Sequence, residues 1–283
     1  MTAVELMDTT IQALVMGVVQ GLTEFLPVSS SGHLIIVPYL FGWTDPFITS
    51  LAFTVMLHIG TLVALLVYFR SDWLRLVPAG LATMRDRSFR GDPDRRLAWL
   101  LAAATVPAML VGFLFNDVIE QNVRQVGLVA LMLVVGGAIL WLAERSGSRS
   151  RAIDAITFPV AIGIGAAQTL ALIPGISRSG ISISAGLFAG LERDSAARFS
   201  FLLATPITGL AAAYEVLTLV SGTGSLNVPI IPLAAGVAAS LVSGFVAIAV
   251  LLRFLRTNST DVFVAYRIVL AIVVLVVWLG LGR

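Results

Sequence analysis

The sequence has no cysteine and no lysine, and it has few charged residues of any kind. All 18 basic side chains are arginines, and charged residues make up only 12% of the 283 residues. The absence of cysteine excludes disulfides and thiolate metal sites. The scarcity of charge excludes an ordinary soluble domain, because hydrophobic residues make up 58% of the chain and the mean hydropathy is +0.97. Since the arginines are spread over short connections, we expect no nucleic-acid partner.

Six segments are long and apolar enough to cross a membrane, since a helical span takes about 20 mostly apolar residues. These segments cover about 51–69, 97–115, 127–143, 199–220, 232–252 and 263–281. Two further apolar regions, about 10–42 and 156–190, are interrupted by Pro, Gly and Ser, and each has room for two short helices. The sequence therefore predicts an all-α polytopic membrane protein with about six transmembrane helices and two re-entrant helix hairpins.

The two interruptions carry a polar motif that occurs twice. The first copy is Gln20-Gly-Leu-Thr-Glu-Phe-Leu-Pro-Val-Ser-Ser-Ser-Gly-His33, and the second is Gln168-Thr-Leu-Ala-Leu-Ile-Pro-Gly-Ile-Ser-Arg-Ser-Gly180. One offset of 148 residues aligns Gln20 with Gln168, Ser29 with Ser177, Ser31 with Ser179, Gly32 with Gly180 and Gly17 with Gly165. Each half of this single domain, about 1–147 and 148–283, then contains one hairpin and three spans. Because three is odd, the halves form an inverted-topology repeat, a plan typical of transporters.

The arginines indicate how the chain is oriented in the membrane. The connections 70–96, 144–155, 191–198 and 253–262 hold most of them and lie on one face of this arrangement. The other face keeps only Arg124 and Arg283, and its loops 41–50 and 221–230 have no basic residue. The positive-inside rule places the arginine-rich face in the cytoplasm and both termini outside. The segment 70–96 is predicted to be the one long loop.

Glu24 and Gln20 are candidate ligands for a divalent cation. They are four residues apart, so both side chains lie on one face of the first hairpin helix. Two oxygen ligands at this spacing suit Mg²⁺ or Ca²⁺, which also binds water and phosphate oxygens. The alternative is a protonated Glu24 that is hydrogen-bonded at a helix interface.

The two polar tips contain groups that suit phosphate chemistry. Non-helical backbone at membrane depth is tolerated where it lines a wet cavity, so both tips are expected to share one. The hydroxyls of Ser29, Ser30 and Ser31, with His33 close by, could bind an anion or supply a nucleophile with a base. In the second tip the guanidinium of Arg178 is a planar fork for phosphate, flanked by further hydroxyls. These hydroxyls belong to Ser177, Ser179 and Ser182.

Two other ionisable residues lie within the apolar spans. His58 has no polar residues near it in the sequence, which favours a hydrogen-bonded packing role. Glu215 is alone near the end of a span and stays unassigned.

The motifs resemble those of the undecaprenyl-diphosphatase family, also called bacitracin-resistance proteins. The matching stretches are Gln20 to His33, Pro174 to Ser182, Phe199 to Pro206 and the pair Tyr266-Arg267, so the likeness runs over almost the whole chain. The resemblance implies hydrolysis of undecaprenyl diphosphate to undecaprenyl phosphate at the outer face of the bacterial plasma membrane. That reaction recycles the lipid carrier of peptidoglycan synthesis and confers bacitracin resistance. A homo-oligomer is kept as a further expectation.

The resemblance also implies roles for individual residues. Glu24 is the acidic metal- or phosphate-site residue, Ser30 the nucleophile with Ser29 beside it, His33 the catalytic histidine and Arg178 the diphosphate-binding arginine. Ser177 and Ser179 assist Arg178. Many members have Glu where this chain has Gln20. The neutral Gln gives the cation site of this chain one negative charge fewer. Many also have Thr in place of Ser182, which keeps the hydroxyl.

Alternatives remain at two levels. Within the hydrolase, the attacking group could be His33 or a metal-activated water instead of Ser30. A phosphatase of the phosphatidic-acid type is excluded, because that family needs a lysine and a second catalytic histidine after the Ser-Arg piece. At the level of function, the inverted repeat also suits a lipid-phosphate transporter or flippase.

Overall fold

The computed structural model describes residues 2–88, 91–122, 125–220 and 229–281. Over these residues the chain folds into eleven α-helices and no strand. In chain order the helices are α1 (Ala3–Phe25), α2 (Ser30–Phe41), α3 (Leu51–Tyr68), α4 (Arg70–Asp86), α5 (Pro93–Asn122), α6 (Val126–Ser146), α7 (Phe158–Gln168), α8 (Arg178–Phe188), α9 (Arg193–Val220), α10 (Ile230–Phe254) and α11 (Asp261–Leu281).

Within the described residues, six helices are long and apolar enough to cross a membrane. They run over Leu51–Tyr68, Pro93–Phe115, Val126–Ser146, Arg193–Tyr214, Ile230–Phe254 and Asp261–Gly280. These are the six segments that the hydropathy predicts, and the prediction of an all-α polytopic membrane protein is confirmed. The predictions for Arg124 and Arg283 concern residues outside the described ranges, as do residues 221–228 of the loop 221–230 and the side chain of Glu215.

Both interrupted regions form a helix, a turn and a second helix. The first pair is α1 and α2, and the second is α7 and α8 with a 3₁₀ turn at Thr169–Leu172. The helix α1 has 23 residues and is longer than the predicted short helix. It begins early because Thr2 and Glu5 form a capping box, in which each side chain bonds the backbone N–H of the other.

The prediction of a long loop over 70–96 is wrong. Most of this segment is the helix α4, which packs against α5. The ion pair from Arg75 to Asp94 joins α4 to the start of α5, and Arg75 also pairs with Asp72 within α4. The sequence of α4 mixes polar and apolar residues, so its hydropathy did not predict a helix. This helix lies beside the apolar bundle instead of crossing the membrane.

Two aligned glycines allow close contacts between helices. Helix α1 packs against α10, and α7 packs against α5. A Cβ on Gly17 would collide with the carbonyl of Gly236, and one on Gly165 would collide with the carbonyl of Ala104. Small residues of this kind let helix backbones approach closely in membranes, where hydrophobic burial does not drive association. These contacts hold the first helix of each hairpin in place.

The arginine-bearing connections meet at one end of the bundle. Arg145 bonds Asp261 at 2.8 Å, and Arg193 pairs with the buried carboxylate of Glu144. Arg198 bonds Asp72 at 2.7 Å, which joins α9 to α4. The arginines of these connections are therefore gathered on one side of the bundle, whereas Arg178 and Arg267 lie at the polar tips.

Candidate active site

The two tips have the same local backbone. Ser29 precedes α2 with φ of 76°, and Ser177 precedes α8 with φ of 78°. Each serine is an N-cap whose Oγ accepts a hydrogen bond from the backbone N–H three residues later, of Gly32 and Gly180. A positive φ at a serine is uncommon. Here it turns the backbone so that the N-terminus of each short helix lies next to the other tip.

The tips are docked directly onto each other. The backbone N–H of Gly175 donates to Ser29 Oγ at 3.0 Å, and Ser179 Oγ donates to the carbonyl of Leu26 at 3.0 Å. Residues 146 and 153 positions apart in sequence are thereby in contact. The prediction that the two tips come together is confirmed.

Arg267 of α11 holds both tips from behind. Its side chain is fully buried, and it donates to the carbonyl of Pro27 in the first tip and to those of Gly175 and Ile176 in the second. It also bonds Leu133 of α6 at 2.9 Å. The sequence analysis named this residue only in the matching pair Tyr266-Arg267 and gave it no role, although an arginine inside the apolar span 263–281 is a signal for a functional or structural role.

A carboxylate and a guanidinium meet between the tips. Arg178 Nη2 donates to Glu24 Oε1, and Arg178 Nη1 donates to the carbonyl of Ala204 at 3.1 Å and to Thr208 Oγ1 at 2.9 Å. The side chain of Glu24 is 5% exposed and that of Arg178 is 17% exposed. The fork of Arg178 is thus fixed on one side and open to the cavity on the other. Thr208 is a partner that the sequence did not reveal, because it is distant in the chain.

The hydroxyl of Ser30 is also directed at Glu24. Ser30 Oγ donates to Glu24 Oε2, and Gln20 Nε2 donates to the same oxygen at 3.1 Å. Glu24 therefore has one oxygen on the guanidinium and the other on the candidate nucleophile. A carboxylate in this position can take the proton of the serine.

These groups line a cavity of about 230 Å³ between α1, α3, α8 and α9. Its polar wall consists of Glu24, Ser30, Ser31, His58, Gln168, Ser177, Arg178 and Thr208. The rest of its wall is apolar, with Val55, Ala108, Ala171, Leu172, Ile207 and Ala211. The cavity combines a small cluster of anion-binding groups with a surface that suits a hydrocarbon chain.

Of three further predicted serines, only Ser31 lines the cavity. Ser31 lines the cavity, with its Oγ 3.4 Å from Ser29 Oγ. Ser179 contacts Leu26 and Ser177, and Ser182 donates to the carbonyl of Arg178 at 2.7 Å. Both Ser179 and Ser182 are buried, so in this structure they support the tip that presents Arg178.

His33 is held by two partners other than Ser30. Its Nδ1 lies 2.7 Å from the carbonyl of Ser29, so this nitrogen carries a hydrogen. Its Nε2 lies 2.7 Å from the hydroxyl of Tyr266, and the two rings are stacked. The predicted transfer of a proton from Ser30 to His33 requires one of these ring nitrogens to be released.

His58 makes the hydrogen bond that was expected, but it also lines the polar cavity, so the expectation of no polar cluster around it is wrong. Its Nδ1 is 2.8 Å from the carbonyl of Thr54, and its Nε2 is 3.6 Å from Glu24 Oε2. The polar cluster around it comes from α1 and α8, which are far from it in sequence. The only sign of this position in the sequence was that an ionisable residue lies within an apolar span.

The protein side chains do not complete a divalent-cation site. Hard cations take six or more oxygen ligands. Glu24 is one carboxylate, and its oxygens already contact Arg178, Ser30 and Gln20. In the described part of the chain no group of three or more His, Cys, Asp or Glu side chains could hold a metal ion. Gln20 Oε1 is buried without a hydrogen-bond partner there, but one neutral oxygen does not replace the missing ligands.

Comparisons with known proteins cover nearly the whole chain. Residues 13–273 match the family described as bacitracin resistance protein BacA. An undecaprenyl-diphosphatase from Desulforudis audaxviator is 45% identical over 271 residues, which are 96% of this chain and 98% of the relative. Proteins of the same name from Gemmatimonas aurantiaca and Thermomicrobium roseum are 46% and 45% identical, each over 94% of this chain and 97% of the relative.

Proposed function

The chain belongs to the bacitracin resistance protein family, and from that premise we propose that it hydrolyses undecaprenyl diphosphate to undecaprenyl phosphate and inorganic phosphate. The structural observation that carries the proposal is the contact of Ser30 and Arg178 with the two oxygens of Glu24 in one cavity. A nucleophile, its base and an anion-binding fork are thereby assembled between the two tips. The reaction recycles the lipid carrier of peptidoglycan synthesis and confers bacitracin resistance.

Arg178 is proposed to bind the diphosphate. Phosphoryl transfer depends mainly on positioning and on stabilising charge on the transferred group. A guanidinium that Ala204 and Thr208 already hold in place needs no reorganisation when the substrate binds. The hydroxyls of Ser31 and Ser177 face the same space and are further donors to phosphate oxygens.

Ser30 is proposed to attack the terminal phosphorus, with Glu24 as the base. The Oγ–P bond forms while the bond from phosphorus to the bridging oxygen breaks, and the serine proton passes to Glu24 Oε2. His33 then acts in positioning, because its bond to the carbonyl of Ser29 stabilises the turn that presents Ser30. The alternative is attack by His33 or by water. Trapping the phosphoenzyme would show whether serine, histidine or neither carries the phosphoryl group.

A divalent cation, Mg²⁺ or Ca²⁺, is proposed to enter with the diphosphate. Phosphate oxygens and water are the ligands that Mg²⁺ commonly keeps in such sites. The side chains of Gln20 and Glu24 do not supply a complete site, so the cation would depend on the substrate for its position.

The proposed activity predicts phosphate release by the purified protein. With undecaprenyl diphosphate in detergent we expect inorganic phosphate and undecaprenyl phosphate in equal amounts, and less of both in the presence of a chelator. No transport across a membrane is possible in detergent. Absence of phosphate release with this substrate and with shorter prenyl diphosphates would favour the lipid-phosphate flippase instead.

The cavity is proposed to open to the extracytoplasmic side of the plasma membrane, with the two hairpins entering from opposite faces and both termini outside. The gathering of arginines at the other end of the bundle supports this orientation. Whether the protein forms a homo-oligomer stays a prediction.

The natural absence of cysteine makes the orientation testable without a background of other thiols. Thr44→Cys and Thr257→Cys place one thiol at each end of the bundle, at two exposed threonines. A membrane-impermeant maleimide added to intact cells is expected to label the variant at Thr44 and not the variant at Thr257. Both variants should be labelled after the cells are broken. The opposite pattern would reverse the proposed orientation.

A further inference from the structure

Gln168 lies at the end of α7 and belongs to the wall of the cavity. The residue is buried, with 3% of its surface exposed. Its carbonyl oxygen Oε1 accepts a long hydrogen bond of 3.5 Å from Ser182 Oγ. Its amide nitrogen Nε2 has no acceptor among the residues that the structure describes. The wall of the cavity therefore contains a buried NH₂ group whose hydrogens are unused.

A buried donor without an acceptor is costly, and nearly all such groups in folded proteins have a partner. Because Gln168 borders the cavity, a molecule bound there is in a position to supply the missing acceptor. Only the terminal amide has to turn for this contact, and the last torsion of a glutamine side chain is soft.

The internal repeat, which aligns Gln168 with Gln20, indicates what kind of acceptor is missing. Gln20 Nε2 donates to Glu24 Oε2 at 3.1 Å, four residues further along α1. Four residues after Gln168 the chain has Leu172, an apolar side chain that also lines the cavity. The amide of the second half thus lacks the anionic oxygen that the amide of the first half contacts.

The missing anionic oxygen can come from the substrate, because Gln168 is linked to the arginine that is proposed to bind the diphosphate. Ser182 Oγ donates to Gln168 Oε1 and also to the carbonyl of Arg178, at 2.7 Å. Gln168 and Arg178 line the same cavity. A phosphate oxygen held there by the guanidinium is a charged acceptor, and hydrogen bonds to charged acceptors are stronger than those between neutral groups.

We propose that Gln168 is a further substrate-binding residue, whose Nε2 donates to a phosphate oxygen of the prenyl diphosphate. The inference rests on the proposed diphosphatase activity. No covalent bond changes at Gln168, and no proton is transferred there. The amide contacts the phosphate both before and during the attack by Ser30, so it stabilises the bound substrate and the transition state alike. Uniform binding of this kind lowers KM and leaves kcat unchanged.

The test is Gln168→Met, which keeps the length of the side chain and removes the donor. We expect KM for undecaprenyl diphosphate to rise about 10- to 100-fold, the effect of one hydrogen bond to a charged group, with kcat within about threefold of wild type. The variant removes a buried polar group that has no partner, so its melting temperature in detergent should equal or exceed that of the wild type. A residue that only supports the fold would not combine weaker binding with unchanged stability.

Equilibrium binding separates affinity from turnover. Ser30→Ala is expected to bind the substrate without consuming it, so calorimetric titration in detergent gives a Kd. Adding Gln168→Met to that variant should raise the Kd of undecaprenyl diphosphate about 10- to 100-fold. If Gln168→Met does not fold, Gln168→Leu takes its place in both measurements.

The matched control is Gln12→Met. Gln12 is also buried and also has an amide atom without a partner among the described residues, but it lies two turns before Gln20 on α1. It is not one of the residues that line the cavity. This variant should keep the kcat and KM of the wild type.

Two results would overturn the role of Gln168. A KM and a Kd within about threefold of the reference proteins would leave a buried water as the only partner of Nε2. A fall in kcat at unchanged KM would mean that the residue does not act in binding. In both cases phosphate release by the wild type leaves the proposed function intact. If the wild type itself releases no phosphate, the proposed function fails and the inference falls with it.

Discussion

Ser30→Ala is expected to lower kcat by at least about 10³-fold, because it removes the nucleophile and leaves only the binding groups. The mutation deletes one hydroxyl at the start of α2, and Ser29 still caps the helix. KM should change little, since Arg178 and its partners remain in place. The measurement is phosphate release from undecaprenyl diphosphate under saturating conditions.

Ser31→Ala is the matched control for that variant. Ser31 is the next residue and lines the same cavity, but its hydroxyl is near Ser29 and not near the carboxylate. We expect a loss of about tenfold or less, as for one hydrogen bond to a charged phosphate. Rapid acid quenching of the wild type with labelled substrate should give phosphoserine. Recovery of phosphohistidine, or an active Ser30→Ala enzyme, would contradict the assignment of Ser30.

Glu24→Gln is expected to lower kcat by about 10²- to 10⁴-fold, because the amide cannot take the serine proton. The change also removes the charge that pairs with Arg178, so the guanidinium loses its preferred orientation. We therefore expect KM to rise as well. This combined effect distinguishes Glu24 from Ser30, whose loss leaves the guanidinium in place.

Glu5→Gln is the control for the change of carboxylate to amide. Glu5 lies on the same helix, α1, at its exposed first turn. It is expected to keep full activity and to lose a little stability through the weakened capping box. A Glu24→Gln enzyme with wild-type kcat would remove Glu24 as the base and would restore the alternative in which His33 accepts the proton.

The sequence analysis named most of the polar residues that line the cavity. Glu24, Ser30, Ser31, Ser177 and Arg178 all line the one cavity. They were recognisable because an ionisable or strongly polar residue in an apolar segment is costly and needs a compensating role. The same argument also identified His58, which was then assigned a packing role, and it applies equally to Arg267.

Only the folded chain shows which of these groups are partners. Glu24 and Arg178 are 154 residues apart, and the contact between them depends on how the two tips dock. His33 is beside the serines in sequence, yet it bonds Tyr266 of α11, which is 233 residues away. His58 is distant in sequence from both tips, yet it lies against Glu24. Proximity along the chain therefore did not reveal that His58 lines the cavity.

The sequence by itself determined the six spanning helices, the two interrupted hairpins and the polar character of their tips. These are local properties, since hydropathy over about 20 residues decides whether a helix can cross a membrane. The tertiary structure alone decided that α4 is a helix beside the bundle, that Arg267 holds both tips and that His58 faces the cavity. Each of these depends on packing between segments that are far apart, and hydrogen bonds at that range leave no periodic pattern in the sequence. The paired polar tips were visible in the chain, and the geometry that joins them into one site was not.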